Sequence, residues 1–136
     1  MENGAIVDSR IRASSEWDGN HSPKRARLHT KKTVNGRGAW SSLINNLNQW
    51  LQVDLDKITP VTHVATQGRN FLSPGQWVTK YKLQFSDDGA SFSFYKRQGE
   101  SLDQVRKNIV TGYSFSPTAR RMITVRRLIR LHISGA

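Results

Sequence analysis

Apolar and polar residues alternate with a period of two in several separate stretches, and this pattern constrains the chain most strongly. It is clearest in WLQVDL (50–55), WVTKYKLQFS (77–86) and RRLIRLHIS (126–134), whereas VTHVATQ (61–67) is rich in β-branched residues. SDDGASFSFYKR (86–97) begins with turn residues and continues as an aromatic strand. No long segment combines helical periodicity with an N-terminal cap. Such strands, separated by Gly, Pro, Asn and Asp, predict an all-β antiparallel sandwich or barrel.

The spaces between these segments predict two long loops, at 14–24 and 33–48. Long loops in a compact β domain are usually functional or mobile. The 136 residues correspond to about one domain, and the sequence contains no repeat and no linker. We therefore expect residues 1–136 to form a single domain.

The charge is strongly positive, at +11, and unevenly placed. No acidic residue follows Asp103, although seven arginines and lysines do, and KRARLHTKK (24–32) forms a second basic cluster. Such a field attracts polyanions, namely nucleic acid, heparin-like glycans or anionic lipid headgroups. Cysteine is absent, which excludes disulfides, thiolate zinc sites and cysteine nucleophiles. We expect no transmembrane segment, and MENGAIVDSRI has no signal-peptide pattern.

Motifs for catalysis, metals and cofactors are not found in the sequence. The histidines have no partner spacing, and neither a G-x-S-x-G elbow, an H-E-x-x-H pattern nor a P-loop occurs. Asp87-Asp88-Gly89 lacks the further spaced carboxylates of a calcium loop and is read as a hairpin turn. The sequence therefore gives no reason to expect enzymatic activity, a metal or a cofactor.

The stretch QGRNFLSPGQWVTKY (67–81) places Phe71 and Leu72 inside a loop of Gly, Asn, Ser and Pro. Such loops normally run over the surface. Two alternatives remain open: the pair folds back into the core, or it meets something other than water. Trp40, Trp50 and Trp77 adjoin strand segments and are expected to pack against the core or the barrel end.

NQWLQVDLDKITPVTHVATQGR followed by QWVTKYKLQFSDDGASFSFYK resembles the discoidin domain, also called the coagulation factor V/VIII type C domain. MENGAIVDSRIRASSEW, ARLH and GAWSS are similar to earlier segments of the same family, so the resemblance covers about residues 1–95 in order. It implies a jelly-roll-like antiparallel β-sandwich or barrel of about eight strands, with a galactose-binding-like fold. It also implies a non-catalytic, extracellular or cell-surface recognition and adhesion module that binds through loops, called spikes, at one end of the barrel.

By position, the resemblance places the first spike at SSEWDGNHSPK (14–24), the second around NGRGAWSSLINN (35–46) and the third at GRNFLSPGQ (68–76). Lys24, Arg25, Arg37 and Arg69 are candidates for a basic collar. Arg27 is expected to have a structural role. The predicted ligand-binding residues are Trp17, Asp18, Asn20, His21, Arg37, Arg69, Asn70, Phe71 and Leu72.

The ligand is left open between two classes. Trp17, Phe71 and Leu72 would suit the surface of an anionic phospholipid membrane, whereas Trp17 with Asp18, Asn20 and His21 would suit a glycan. A protein receptor or matrix partner is a third option. The alternative from another class is a binder of heparin or nucleic acid that uses the basic C-terminal region, although no nucleic-acid motif appears. Asn20-His21-Ser22 is also a glycosylation sequon.

The chain departs from the family pattern in its missing terminal cysteines and in its C-terminal part, from about residue 96. FSPTARRMITVRRLIRLHISGA permits two alignments. In the first, TARRMITV is the penultimate strand and RLIRLHIS is the last. In the second, RRLIRLHI is the penultimate strand and the last strand is missing, which would leave an exposed sheet edge.

Overall fold

The computed structural model describes residues 3–61, 64–69, 76–96, 105–107, 114–115, 123–125 and 128–135. Its regular structure is almost entirely β, as the period-two alternation predicts. Three short 3₁₀-helices cover Asp8–Arg10, Gly19–His21 and Pro23–Ala26. The strands within the described residues are β1 (Ile11–Ala13), β2 (Trp50–Asp54), β3 (Thr59–Val61), β4 (Val64–Ala65), β5 (Lys80–Ser86), β6 (Ser93–Phe94), β7 (Val105–Lys107), β8 (Ser114–Phe115), β9 (Ile123–Val125) and β10 (Leu128–Gly135).

Six strands form one antiparallel sheet in the order β1-β2-β10-β5-β6, with β7 also paired to β5. Two further antiparallel pairs, β3 with β9 and β4 with β8, form separate two-stranded sheets. The C-terminal strand β10 lies between β2 and β5, so both of its edges are paired. This placement agrees with the first alignment of the C-terminal part, in which RLIRLHIS is the last strand.

The register brings the apolar positions of three strands into line. Leu131 of β10 lies opposite Leu51 of β2 and Leu83 of β5. In β2, Leu51 and Val53 are buried while the alternate residues are half-buried, as a strand with one core-facing side requires. Ile11, Tyr81, Leu128 and Ile133 complete the buried apolar set among the described residues.

On the face of the large sheet opposite to Leu131, the Arg130 side chain is stacked between two aromatic rings. The Arg130 guanidinium lies 3.5 Å from the centre of the Phe92 ring and 4.3 Å from that of Trp50. Its Nη2 also donates a 2.8 Å hydrogen bond to Gln52 Oε1 on the neighbouring strand. Burial lowers the pKa of Arg130 because it removes water from the charged guanidinium. The two aromatic faces and the Gln52 amide oxygen replace part of that lost solvation. Trp50 therefore packs as expected.

Ion pairs fasten the N-terminal segment. Arg27 Nη2 donates to Asp8 Oδ1 and to the Ile6 carbonyl, each at 2.6 Å, which confirms the structural role expected for Arg27. Arg10 pairs with Asp56, which lies in the turn after β2 at a positive φ of 73°.

The turn at Asp87-Asp88-Gly89 is confirmed. The Asp88 carboxylate accepts hydrogen bonds from the Ser91 and Ala90 amides and from Ser86 Oγ, at 2.8–2.9 Å. These donors, the Ser91 amide first, hold the pKa of Asp88 well below its usual range. Gly89 has a φ of +80°, which suits glycine.

The strands differ from the sequence prediction in places. Within the expected strand at 61–67, β3 ends at Val61 and β4 covers Val64–Ala65. Strand β1 was missed because its three residues are too short to show a period. It forms by pairing with β2, where Ile11 lies opposite Val53.

Substitution of Leu51 tests the importance of the central register. Leu51→Ala should lower the free energy of unfolding by about 2–5 kcal/mol, because it leaves a cavity beside β10. Leu47→Ala is the matched control: Leu51 is 8% exposed and Leu47 is 56% exposed. The control should change stability by less than about 0.5 kcal/mol. Urea unfolding measures both variants, and equal losses would contradict the described core.

Candidate functional site

The first spike is organised by the carboxylate of Asp18. Its Oδ1 accepts hydrogen bonds from the Asn20 amide (2.9 Å), the His21 amide (3.0 Å) and His21 Nδ1 (2.7 Å). Asp18 thereby caps the 3₁₀-helix Gly19–His21. The hydrogen bond from the His21 side chain is the main cause that lowers the pKa of Asp18. Two predicted ligand-binding residues, Asp18 and His21, therefore contact each other.

Backbone hydrogen bonds join the first spike to the second. The Trp17 amide donates to the Ser41 carbonyl at 2.9 Å, and the Ser41 amide donates to the His21 carbonyl at 3.2 Å. The Arg37 amide donates to the Asn20 carbonyl at 3.0 Å. Because these bonds come from the main chain at three separate positions, the two spikes form one unit without using their side chains for these links.

Side chains at the base of this unit reinforce it. Trp40 Nε1 donates to the Ser15 carbonyl at 2.9 Å, and the Leu43 amide donates to Ser15 Oγ at 3.1 Å. Ser15 Oγ in turn donates to Gln49 Oε1 at 2.6 Å, next to strand β2. Gln49 is buried, so the spikes are anchored directly to the sheet.

A small hairpin, residues 33–36, lies at the start of the second spike. The Thr33 amide donates to the Gly36 carbonyl at 2.8 Å, and Arg25 Nη2 donates to the Asn35 carbonyl at 2.9 Å. A Cβ at Gly36 would overlap the Arg25 guanidinium. Arg25, predicted as part of the collar, therefore supports the hairpin tip from the first spike.

Large apolar side chains are exposed on the joined spikes. Trp17, which the sequence singled out, is 62% exposed. Leu43 and Ile44 of the second spike are more than half exposed, and Val34 at the hairpin tip is fully exposed. Sequence reasoning missed these three. The signal was present in Leu43-Ile44, an apolar pair between Ser and Asn residues that has the same character as Phe71-Leu72.

The third spike is described only at its base. The Arg69 amide donates to the Gln76 carbonyl at 2.9 Å, and Arg69 Nη1 donates to Gln76 Oε1 at 2.6 Å. Trp77 lies beside Gly68 and is 41% exposed, so of the two expected positions, core or barrel end, the core is ruled out. The predicted site residues Asn70, Phe71 and Leu72 lie outside the described residues.

A segment between the spikes connects this base to the second spike. The His29 amide donates to Gln67 Oε1 at 3.0 Å, just before the third spike. Lys32, three residues after His29, lies beside Gly38 of the second spike. The two are so close that a Cβ built on Gly38 would be 3.0 Å from the Lys32 backbone nitrogen. The base of the third spike is therefore tied to the same loop cluster.

The cluster carries unbalanced positive charge. No acidic residue occurs from Gly19 to Val53 in the sequence. Lys24, Lys31, Lys32 and Arg37 are exposed and form no ion pair with any described residue. Because these four cations form no ion pair with a described carboxylate, they are available to an anionic ligand.

The described residues contain neither a metal-binding cluster nor a membrane-spanning helix. Among the described residues, no group of three or more His, Cys, Asp or Glu is placed to hold a metal ion. No helix in the described part is long and apolar enough to cross a bilayer.

The fold and loops define an antiparallel β-sandwich that carries a cluster of long, mutually bonded loops. A family model described as F5/8 type C domain matches residues 10–134, and the chain belongs to this family, the discoidin domains. The match extends through β10, beyond the part of the chain on which the sequence resemblance rested.

Similar sequences occur in much larger proteins. Coagulation factor V from Sus scrofa is 40% identical over 109 residues, which cover 77% of this chain and 5% of the relative. The venom prothrombin activator pseutarin-C non-catalytic subunit from Pseudonaja textilis is 34% identical over 108 residues, which cover 77% of this chain and 7% of that protein. The chain thus spans only a small fraction of the relatives it matches.

The solved structures support the fold. Discoidin II from Dictyostelium discoideum superimposes with a TM-score of 0.77 at 22% identity, covering 98% of this chain and 50% of that one. The galactose-binding-like β-sandwich expected from the sequence is confirmed. Domains of this family are generally non-catalytic modules that bind carbohydrate or phospholipid.

The Asp18 cap predicts a pH dependence. Because folding lowers the pKa of Asp18, its contribution to stability is present above the carboxyl group's ordinary pKa and is lost as pH falls through the folded-state value. Wild type should therefore be more stable than Asp18→Ala near neutral pH, and this difference should vanish in acid.

Urea unfolding of both proteins at several pH values below neutrality measures this difference. Glu16→Ala removes a nearby exposed carboxylate and is the matched control. A difference between wild type and Asp18→Ala that persists unchanged into acid would contradict the role of the charged cap.

Proposed function

We propose that this chain is a non-catalytic recognition module that binds the surface of anionic phospholipid membranes peripherally through its spikes. The observation that carries the proposal is the exposure of Trp17, Leu43 and Ile44 on two loops that are hydrogen-bonded to each other. Exposed apolar groups on a loop cluster that also carries exposed cations match the boundary between acyl chains and anionic headgroups.

The energies favour such binding. Burying one large apolar side chain contributes about 1.5–3 kcal/mol, and each cation near an anionic surface adds about 1 kcal/mol. Association also costs translational, rotational and side-chain freedom. Since the spikes are fixed by main-chain bonds before binding, little additional loop ordering is required, and more of the apolar gain remains as affinity.

The contacts of the polar residues favour lipid over glycan. A sugar site at Trp17 would have to bond hydroxyl groups mainly through the two remaining atoms, Asp18 Oδ2 and His21 Nε2. Asp18 Oδ1 already accepts three hydrogen bonds, and His21 Nδ1 supplies one of them. The apolar side chains nearby have no such competing partners, so the lipid function uses the exposed surface more fully. The proposed setting is extracellular or cell-surface-associated.

The apolar tips provide the first test. Trp17→Ser and Leu43→Ser/Ile44→Ser should each weaken binding to vesicles that contain phosphatidylserine, by tenfold or more from the loss of at least ~1.4 kcal/mol of apolar burial. Vesicle sedimentation measures the affinity. Ile58→Ser is the matched control, because Ile58 is equally exposed but lies in the turn after β2.

Binding by the two spike variants that equals that of wild type would remove the spikes from the mechanism. Phe71→Ala/Leu72→Ala should be measured alongside, since the third spike is part of the same proposal. If wild type does not bind the vesicles but binds defined sugars on a glycan array, the function is that of a lectin and the lipid function is wrong.

The cations provide the second test. Lys31→Ala/Lys32→Ala should weaken binding to phosphatidylserine vesicles by about fivefold per charge removed, and the loss should shrink as salt is added. Lys57→Ala removes an exposed charge outside the spikes and should have a smaller effect. Equal affinity for neutral phosphatidylcholine vesicles would show that charge is not used. A different result would favour a polyanion ligand: wild type is retained on heparin but does not bind vesicles, and Lys31→Ala/Lys32→Ala loses the retention.

A further inference from the structure

The hairpin tip at the start of the second spike contains an Asn-Gly pair, Asn35-Gly36. Asn35 is exposed, and its side chain forms no hydrogen bond with any described residue. The Gly36 amide donates to the Thr33 carbonyl at 3.4 Å, a long and therefore weak bond. The Asn35 side chain is thus unrestrained, and the Gly36 nitrogen is held only by this weak bond, although Gly36 itself is buried against Arg25.

These two groups can react with each other. The Gly36 nitrogen loses its proton and attacks Asn35 Cγ, a new C–N bond forms, and the side-chain nitrogen leaves as ammonia. Water then opens the cyclic imide at either carbonyl, which yields aspartate or isoaspartate. Glycine favours the attack because it has no Cβ to obstruct it. The reaction needs only solvent water.

Arg25 places a positive charge at this position. Its guanidinium lies against Gly36, and its Nη2 donates to the Asn35 carbonyl at 2.9 Å. A nearby cation favours the deprotonated form of a neighbouring group, here the Gly36 nitrogen that must attack. The same cation stabilises the carboxylate that forms.

We propose that Asn35 is a site of spontaneous deamidation, and that its conversion to aspartate or isoaspartate weakens the attraction of the second spike for anionic lipid. The second part rests on the proposed function. The new carboxylate would be the first negative charge between Gly19 and Val53, beside Arg25 and Arg37. It would repel anionic headgroups and pair with cations that otherwise attract them.

The chain contains an internal reference, Asn3-Gly4. Asn3 Oδ1 accepts a hydrogen bond from the Ala5 amide at 3.2 Å, and nothing lies within 4 Å of a Cβ built on Gly4. This second Asn-Gly pair therefore has no guanidinium against its glycine. It reports the reactivity of the same dipeptide away from the spikes, in the same sample.

The chemistry is tested by incubating the full chain at mildly alkaline and mildly acidic pH. Peptide mapping by mass spectrometry should show replacement of the Asn35 amide by a hydroxyl, faster at the higher pH. A protein isoaspartyl methyltransferase should label the same peptide. Asn35→Gln should abolish this label, whereas Asn3→Gln should keep it. An unchanged Asn35 in a sample whose Asn3 has converted would overturn the proposal.

The consequence is tested with phosphatidylserine vesicles. Incubated wild type and fresh Asn35→Asp should bind about fivefold more weakly than fresh wild type, as expected for one added charge. The affinity of Asn35→Gln should not change with incubation. Conversion of Asn35 without loss of binding would overturn the regulatory part. Fresh wild type that never binds vesicles would refute the proposed function instead, while the mass readout would still decide the chemistry.

Discussion

The pairing of β10 with two strands at once is the constraint on which the rest of the structure depends. Strand β10 lies between β2 and β5, and its Leu131 aligns with Leu51 and Leu83. A one-residue slip would move every apolar side chain of β10 to the other face of the sheet. The same register places Arg130 between Trp50 and Phe92 and leaves Gln49, just before β2, in position to hold Ser15 of the first spike. The loop cluster is therefore fixed by the sheet rather than by its own residues alone.

Two kinds of groups in the spikes have two different roles. Main-chain groups and short polar side chains bond the loops to each other, as in the contacts of Trp17 with Ser41 and of Ser15 with Leu43. Large apolar and cationic side chains are left exposed. This arrangement explains how apolar residues remain outside the core in an ordered loop: their backbone is satisfied by neighbouring loops, so they need not fold back. A surface of this kind is prepared for a ligand before the ligand arrives, which is why we connect it with membrane binding.

Much of the fold could be predicted from the sequence, because period-two alternation is a local signal. It located β2, β5 and β10, and the turn residues Asp87-Asp88-Gly89 located the turn between β5 and β6. The site was harder to predict, because exposure in a loop depends on tertiary contacts. Trp17 and Trp40 lie in similar polar loops, yet Trp40 is half-buried because its Nε1 reaches the Ser15 carbonyl. Trp17 was expected to be exposed, and it is. Trp77 was expected to pack against the core or the barrel end, yet it is also exposed. Neither Leu43 nor Ile44 shows a periodicity that could have separated it from core residues.

The account depends most on whether Trp17 enters the lipid phase. Fluorescence quenching by phosphatidylserine vesicles with brominated acyl chains measures this directly, because bromine quenches only indoles that approach the hydrocarbon. The chain has four tryptophans, so wild type is compared with Trp17→Phe, which keeps an aromatic ring at the tip. The account predicts clear quenching of wild type and nearly none of Trp17→Phe when both are fully bound. Equal quenching of the two proteins, or no quenching of bound wild type, would contradict it.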